Sequence, residues 1–174
     1  MTTGFGPHVR YDADPTGRRQ GIGLIHHLAA GWGDDAPDTI VRATMIIRCN
    51  TLGQGWSGVS PEAAQHLGDL IGRGVTPVVP EIGSVGASGD LVPLAHCARV
   101  LIGEGEARYR GERMPASEAL ERAGLRPAAL EARDTLAIVN GTAFMTAYLA
   151  HAVARAERLL LAAERLGVAP VACL

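Results

Sequence analysis

Apolar side chains recur at helical spacing through the first half of the chain and predict three helices. The first spans 16–30 and is stopped by Gly31-Trp32-Gly33. The second begins after Asp38 and keeps its apolar spacing to Leu52. The third spans 60–71, where a serine cap, a first-turn proline and an acidic first turn mark a helix start.

The second half of the chain alternates short extended segments with helices. Residues 74–80 are broken by prolines and read as extended, and 106–115 alternate around Gly111, which predicts a hairpin. The other predicted elements are a helix over 91–102, a short helix over 116–125 and a long alanine- and leucine-rich helix over 141–166.

The composition indicates one folded domain with no bias toward nucleic acid or a membrane surface. The chain has 174 residues, 47% of them hydrophobic, and a formal net charge of −2. Its three widely spaced cysteines favour a reducing cytoplasm over a disulfide framework or a zinc site. It opens without a basic-then-apolar leader, and no run approaches the roughly 18 apolar residues of a spanning helix. We therefore expect a cytoplasmic protein.

The predicted chemistry is organised around residues 83–90, Gly-Ser-Val-Gly-Ala-Ser-Gly-Asp. Three glycines allow backbone conformations that a Cβ would forbid, and Ser88 places one hydroxyl between Ala87 and Gly89. If the loop bends tightly, the Gly89 nitrogen can attack the Ala87 carbonyl carbon, and loss of water closes a five-membered ring. Loss of the Ser88 hydroxyl then leaves an exocyclic methylene, an electrophile that no ordinary side chain supplies.

Other glycine-loop chemistries fit this segment less well. A nucleophile elbow needs Gly-x-Ser-x-Gly, and Asp90 stands where the second glycine belongs. A Walker loop ends in Gly-Lys followed by Ser or Thr, and no lysine follows here. A glycine-rich turn that caps the next helix is the alternative without chemistry.

Residues 83–96, which continue the loop into Leu-Val-Pro-Leu-Ala-His, resemble the signature of the aromatic amino acid ammonia-lyases and aminomutases. The likeness extends from Thr2-Thr3-Gly4-Phe5-Gly6 to the end of the chain. In that family an Ala-Ser-Gly triplet cyclises autocatalytically into 4-methylidene-imidazol-5-one (MIO). The resemblance therefore implies that Ala87, Ser88 and Gly89 form this electrophile, with no metal and no nucleotide.

The resemblance also implies the fold. We expect a mainly α protein: the N-terminal MIO domain of the ammonia-lyase fold, with a small β-hairpin and the first long helix of a central helical bundle. A single MIO-bearing domain would cover 1–174. The MIO-loop region would span about 1–140, and 141–174 would begin the bundle, which another chain completes.

Several residues near the loop are implied to build the site. Asn140, in Asn-Gly-Thr, would contact the substrate or MIO, although by sequence alone it is equally a cap for the long helix. Asp90 either caps the helix that begins near Leu91 or assists cyclisation, and the first amides of that helix would favour developing negative charge. Gly6 and Leu91 are expected to line the site.

The pair His27-Leu28 is implied to sense the substrate's ring. Histidine lyases of the family tend to have Ser-His at this pair, phenylalanine lyases Phe-Leu and tyrosine enzymes His-Leu. A histidine can hydrogen-bond a phenol hydroxyl, and a substrate without the hydroxyl leaves that polar group unpaired. The resemblance thus favours tyrosine or a related hydroxylated aryl amino acid.

Two further patterns are interpreted as structural. Residues 53–58 formally match Gly-x-Gly-x-x-Gly but follow a predicted helix, so a bend with Trp56 packing is favoured over a dinucleotide site. His66, His96 and His151 are widely separated and are interpreted as structural or surface residues.

Two features depart from the family pattern. The motif normally carries Tyr-Gly before the position of Met1, and this tyrosine, held to be the catalytic base, is absent here. Three explanations stay open: a true start upstream, a base from another chain, or an incomplete subunit whose partner does something different. The downstream half, which in the family supplies arginine and further tyrosine and glutamate contacts, is also absent, and the apolar residues 171–174 would need burial. We therefore expect a second polypeptide that carries the C-terminal helical half, in a higher hetero-oligomer.

Two functions follow as hypotheses. The first is a subunit of a split MIO-dependent ammonia-lyase or 2,3-aminomutase that eliminates ammonia from a tyrosine-like amino acid to give an aryl acrylate. The second is a non-catalytic scaffold or binding subunit with the same fold, which the missing tyrosine favours.

Overall fold

The computed structural model describes residues 4–5, 10–11 and 18–172, and Gly6 lies outside these residues. Within them the chain is mainly helical, as the resemblance implies. The seven helices of the described residues are α1 (Arg18–Leu28), α2 (Asp38–Gly53), α3 (Pro61–Arg73), α4 (Leu91–Leu101), α5 (Ala116–Arg122), α6 (Ala132–Val139) and α7 (Ala143–Ala172).

The predicted helix signals act as expected. At the start of α3 the Ser60 side chain accepts a hydrogen bond from the Ala63 N–H at 3.2 Å, and Pro61 occupies the first turn. Gly74 ends this helix with φ +76°, a left-handed conformation that favours glycine. The periodic apolar pattern thus predicts α1 to α5 to within three residues at each end, and it predicts α7, which continues six residues beyond its predicted end.

In the described ranges, five short strands form two antiparallel sheets. β2 (Val75–Pro77), β4 (Glu106–Tyr109) and β5 (Glu112–Pro115) pair in the order β2-β4-β5, which confirms the predicted hairpin. Its turn has positive φ at both Arg110 and Gly111, as a tight hairpin requires. The other sheet, β1 (Trp32–Asp35) with β3 (Pro80–Ile82), was not predicted, because β1 is four residues long and its partner lies far along the chain.

The core lies among α1, α2, α4 and α6, with α7 packed on α2. α1 packs on both α4 and α6. The helix α6 was missed by the sequence analysis because it is short. A reciprocal capping box between Glu131 and Asp134 fixes its start. The largest fully buried side chains are Ile25, Val41, Met45, Leu52, Leu67, Leu70, Val75, Val79, Leu94, Val100, Leu120 and Ile138.

Two expectations are corrected by the structure. Trp56 is 91% exposed, so it does not pack in the bend after α2. Contrary to the sequence analysis, the stretch Arg133–Gly167 is long and apolar enough, by length and composition alone, to cross a membrane. Its first part supplies the core residues Val139 and Phe144, and core helices of soluble proteins pass the same test, so this is weak evidence for a membrane.

Candidate active site

The segment 83–90 connects β3 to α4 without regular structure. Ala87 and Ser88 are exposed, whereas Gly89 and Asp90 are buried. Gly86 and Gly89 have φ +63° and +123°, so the backbone turns at both positions into conformations that favour glycine. The loop therefore presents the Ser88 hydroxyl outward while its next two residues are fixed within the protein.

Gly89 lies directly against the junction between α6 and α7. A Cβ added at Gly89 would lie 3.0 Å from Asn140 Oδ1 and 3.1 Å from both the N and the O of Gly141. The next residue continues the contact, because the Asp90 N–H donates to the Gly141 carbonyl at 2.7 Å. The structure thus brings together two segments that the sequence analysis singled out separately, the Ala-Ser-Gly loop and Asn-Gly-Thr.

The Asp90 side chain links the loop to α7. It is fully buried; its Oδ1 accepts a hydrogen bond from Ser84 Oγ at 2.5 Å and its Oδ2 accepts one from the Met145 N–H at 2.9 Å. Asp90 stands at the N-cap position of α4 but makes no side-chain cap there. The cap interpretation is therefore corrected: Asp90 satisfies an amide in the first turn of α7 instead.

Asn140 lies between two helices. It is the C-cap of α6, with its N–H donating to the Leu136 carbonyl at 3.0 Å, and α7 begins three residues later at Ala143. The alternative that Asn140 is an N-cap of the long helix is therefore wrong. Its side chain is exposed beside Gly89, where an amide can reach a small molecule bound over the loop.

Arg48 on α2 is a residue of this region that the sequence analysis missed. Its side chain donates to the carbonyls of Ile138 (Nε, 3.1 Å), Asn140 (Nη2, 2.7 Å) and Ala137. Burial lowers the pKa of this guanidinium, which is 5% exposed. A signal for it exists in the sequence, because Arg48 falls on the stripe of α2 whose other members, Val41, Met45 and Leu52, are all buried.

The proposed ring-sensing pair lies at the end of α1. His27 is exposed and Leu28 is half-buried against the core. α1 packs on α4 and α6, the helices that flank the loop and Asn140. Among the described residues His27 makes no hydrogen bond to the loop, whereas its neighbour His26 contacts Glu104 at 2.6 Å.

The remaining predicted residues divide by position. Leu91 is the first residue of α4 and is half-buried against the core, next to the loop. Gly6 lies outside the described residues, so its role stays a prediction. His96 on α4 is buried at Nε2 with no hydrogen-bond partner, and burial, with a smaller contribution from Arg99, lowers its pKa to about 4. In the part of the chain that the structure describes, no three His, Cys, Asp or Glu side chains cluster as metal ligands do.

Comparison with known proteins decides the family. The sequence model of the family described as aromatic amino acid lyase matches residues 1–174. The chain belongs to this family. This family is the MIO-dependent class of aromatic amino acid lyases.

The relatives of this chain differ in the substrates that their names give. It is 50% identical over 161 residues to the histidine ammonia-lyase of Stigmatella aurantiaca, covering 91% of this chain and 31% of that protein. It matches the phenylalanine aminomutase of Pantoea agglomerans with TM-score 0.80 and 37% identity, over 84% of this chain and 28% of that one. For the tyrosine aminomutase of Streptomyces globisporus the values are 0.77 and 35%, over 84% and 27%. The chain spans about a third of the length of the curated relatives it matches.

Proposed function

We propose that this chain supplies the electrophile-bearing part of an aromatic amino acid ammonia-lyase or 2,3-aminomutase. The observation that carries the proposal is the contact between Gly89 and Asn140, which places an exposed Ala-Ser-Gly loop beside an exposed amide. Ammonia leaves an amino acid poorly, and a covalent electrophile at this position would address that difficulty.

The residues of the loop fit MIO. Position 89 has no room for a side chain, and its φ of +123° bends the backbone where ring closure needs a bend. In the closure, the Gly89 nitrogen bonds to the Ala87 carbonyl carbon, and the Ala87 oxygen leaves as water with the amide hydrogens of Ser88 and Gly89. The Ser88 hydroxyl leaves with its Cα hydrogen as a second water. The methylene so formed would supply an electrophile for the amine of the substrate.

The other residues of this chain would bind and orient the substrate. The Asn140 amide, exposed beside Gly89, would hold the substrate or the ring by hydrogen bonds. α4 begins at Leu91, directly after the loop, so its partly positive N-terminus favours negative charge that develops there. Asp90 fixes the loop to α7 through Met145 and Ser84, and we propose that it also assists cyclisation.

We propose tyrosine or a related hydroxylated aryl amino acid as the substrate and an aryl acrylate as the product. His27 supports this choice, because an imidazole can pair with a phenol hydroxyl and Leu28 beside it is apolar. Histidine is the second candidate. It is supported by the 50% identity to the histidine ammonia-lyase of Stigmatella aurantiaca.

We further propose that a second polypeptide, rich in helices, completes the site. α7 carries an exposed apolar stripe on one helical face, formed by Met145, Leu149, Val153 and Leu160. A stripe of this length on a soluble protein favours a partner helix over open water. Copurification of a helical partner with the chain, followed by mass determination of the complex, tests this assignment.

Intact mass is the experiment that tests the enzymatic proposal. The measured mass of the chain should be lower than the mass calculated from its sequence by two waters. The Ser88→Ala variant should have its full calculated mass, because no hydroxyl remains to be lost. The completed enzyme should then release ammonia from tyrosine faster than from histidine or phenylalanine. An unshifted mass in a preparation that forms the aryl acrylate would overturn the mechanism, and an unshifted mass without turnover would favour the scaffold hypothesis.

A further inference from the structure

The guanidinium of Arg48 is a buried cation without a buried anion. No acidic side chain in the described part of the chain lies within ion-pair distance of it. A buried charge is costly unless its donors are paired. Here the pairing comes entirely from backbone carbonyls, those of Ala137, Ile138 and Asn140.

These three carbonyls belong to the end of one helix. Ala137 and Ile138 are in the last turn of α6, and Asn140 is its C-cap. The last carbonyls of a helix have no partners within the helix and carry partial negative charge, so a cation binds them well. Arg48 thus binds three carbonyls at the end of α6.

The same guanidinium also packs against the residue after Asn140. A Cβ added at Gly141 would lie closer to Arg48 Nη1 than real side chains come, and 2.8 Å from its Cζ. The Asn-Gly-Thr junction is therefore in contact with Arg48 on one side and with the loop on the other. On the loop side Asn140 Oδ1 lies beside Gly89, and the Gly141 carbonyl accepts from the Asp90 N–H.

We infer that Arg48 is a positioning residue for the reaction. It holds the Asn140-Gly141 backbone so that the Asn140 side-chain amide stays beside the Gly89 backbone. This inference rests on the proposed function, because it assigns a role in that same site. Arg48 itself contacts backbone carbonyls of the junction, and its influence on the loop passes through Asn140 and Gly141.

The geometry explains why this residue is an arginine. Its Nε reaches one carbonyl while Nη2 reaches two others, so the planar fork fixes three acceptors at once. A lysine would keep the positive charge but present a single ammonium on a flexible stem. We therefore expect a lysine at position 48 to preserve the fold better than it preserves the position of Asn140.

The experiment compares three variants of the chain, each assembled with the polypeptide that completes the site. Arg48→Met removes the donors, and Arg48→Lys keeps the charge. Arg42→Met is the matched control, because Arg42 lies on the same helix and donates to the Ile71 carbonyl of α3, away from the loop. The readouts are the fraction of chain that has lost two waters, kcat and KM for tyrosine, and the thermal midpoint.

We expect Arg48→Met to contain a larger uncyclised fraction than wild type and Arg42→Met to match wild type. In Arg48→Lys, kcat should fall about tenfold or more with little change in KM, because a misplacement of about 1 Å can cost about 100-fold in rate. In the Asn140→Ala background Arg48→Lys should cost little further activity, since two residues that act as a unit are not additive.

The possible results distinguish a failure of the proposed function from a failure of the role of Arg48. If the intact mass of the wild-type chain shows no loss of two waters, the proposed function is overturned. Full cyclisation with wild-type kcat in Arg48→Lys overturns the role of Arg48 alone, even if Arg48→Met fails to fold. Equal cyclised fractions and equal kcat in Arg48→Met and Arg42→Met have the same consequence, because Arg48 would then be no more than another helix cap.

Discussion

Asp90 accepts a hydrogen bond from the backbone N–H of Met145 at 2.9 Å, across 55 positions of the sequence. Met145 is the third residue of α7, so its amide is one of those that a helix cannot satisfy internally. The carboxylate that follows the Ala-Ser-Gly loop therefore caps the longest helix of the described chain. The Asp90 side chain thus both holds the loop in place, through Ser84, and stabilises the start of α7, through Met145.

Replacing Asp90 should separate its structural role from its proposed chemical role. Asp90→Ala leaves the Ser84 hydroxyl and the Met145 amide without their buried acceptor, and we expect it to lower the free energy of unfolding by about 1–3 kcal/mol. Asp90→Asn keeps one acceptor oxygen and should lose less. Urea unfolding measures both. Asp69→Ala is the control, because Asp69 makes only an exposed hydrogen bond with Gln65 and should stay within about 0.5 kcal/mol of wild type.

The intact mass of folded Asp90→Asn then tests whether the carboxylate assists cyclisation. We expect this variant to keep a substantial uncyclised fraction. Complete loss of two waters in Asp90→Asn would show that Asp90 holds the loop in place without taking part in the ring closure.

Gly141→Ala should destabilise the protein through Arg48. The added Cβ would meet the guanidinium, which cannot move aside without breaking its bonds to α6. We expect a loss of about 1–3 kcal/mol in the free energy of unfolding, as for other overpacked sites. Gly72→Ala on α3 has open space around its Cβ and should instead stabilise by up to about 1 kcal/mol. A Gly141→Ala protein as stable as wild type would mean that Arg48 is free to rearrange.

His27→Phe should move substrate preference away from hydroxylated rings. Without the imidazole the phenol hydroxyl loses its partner, so kcat/KM for tyrosine should fall and that for phenylalanine should rise, with the ratio changing by about 100-fold or more. His26→Phe is the control, because adjacent helix residues point about 100° apart and His26 contacts Glu104. An unchanged tyrosine-to-phenylalanine ratio in His27→Phe, or a wild-type preference for histidine, would contradict the proposed role.

The half-buried ring of His96, whose Nε2 is buried without a hydrogen-bond partner, should make the protein less stable in acid. Its pKa is about 4 in the folded protein, below its ordinary value of 6.5, so the unfolded chain binds a proton that the folded chain excludes. The contribution of His96 is therefore fully present above about pH 6.5 and is lost as pH falls toward about 4. His96→Leu should remove this part of the acid loss, measured as the difference in thermal midpoint from wild type at about pH 7.5 and about pH 4.5. A constant difference at the two pH values would contradict it.

Local sequence signals were sufficient for much of the fold. The periodic apolar positions and the cap at Ser60 predicted most helices, because helix formation depends on neighbours three and four residues apart. The loop 83–90 was singled out by its small residues, and its resemblance to the family signature then favoured ring closure over a glycine-rich turn.

Other parts of the site depend on contacts between distant segments. That Asp90 caps α7 and not its own helix α4, and that Arg48 binds the end of α6, follow from how the helices pack. The strand β1 forms only because β3 passes beside it. The sequence by itself determined most of the helices, where the interactions are local. Only the tertiary structure decided the partners of buried charges, because burial and pairing arise when segments far apart in the chain come together.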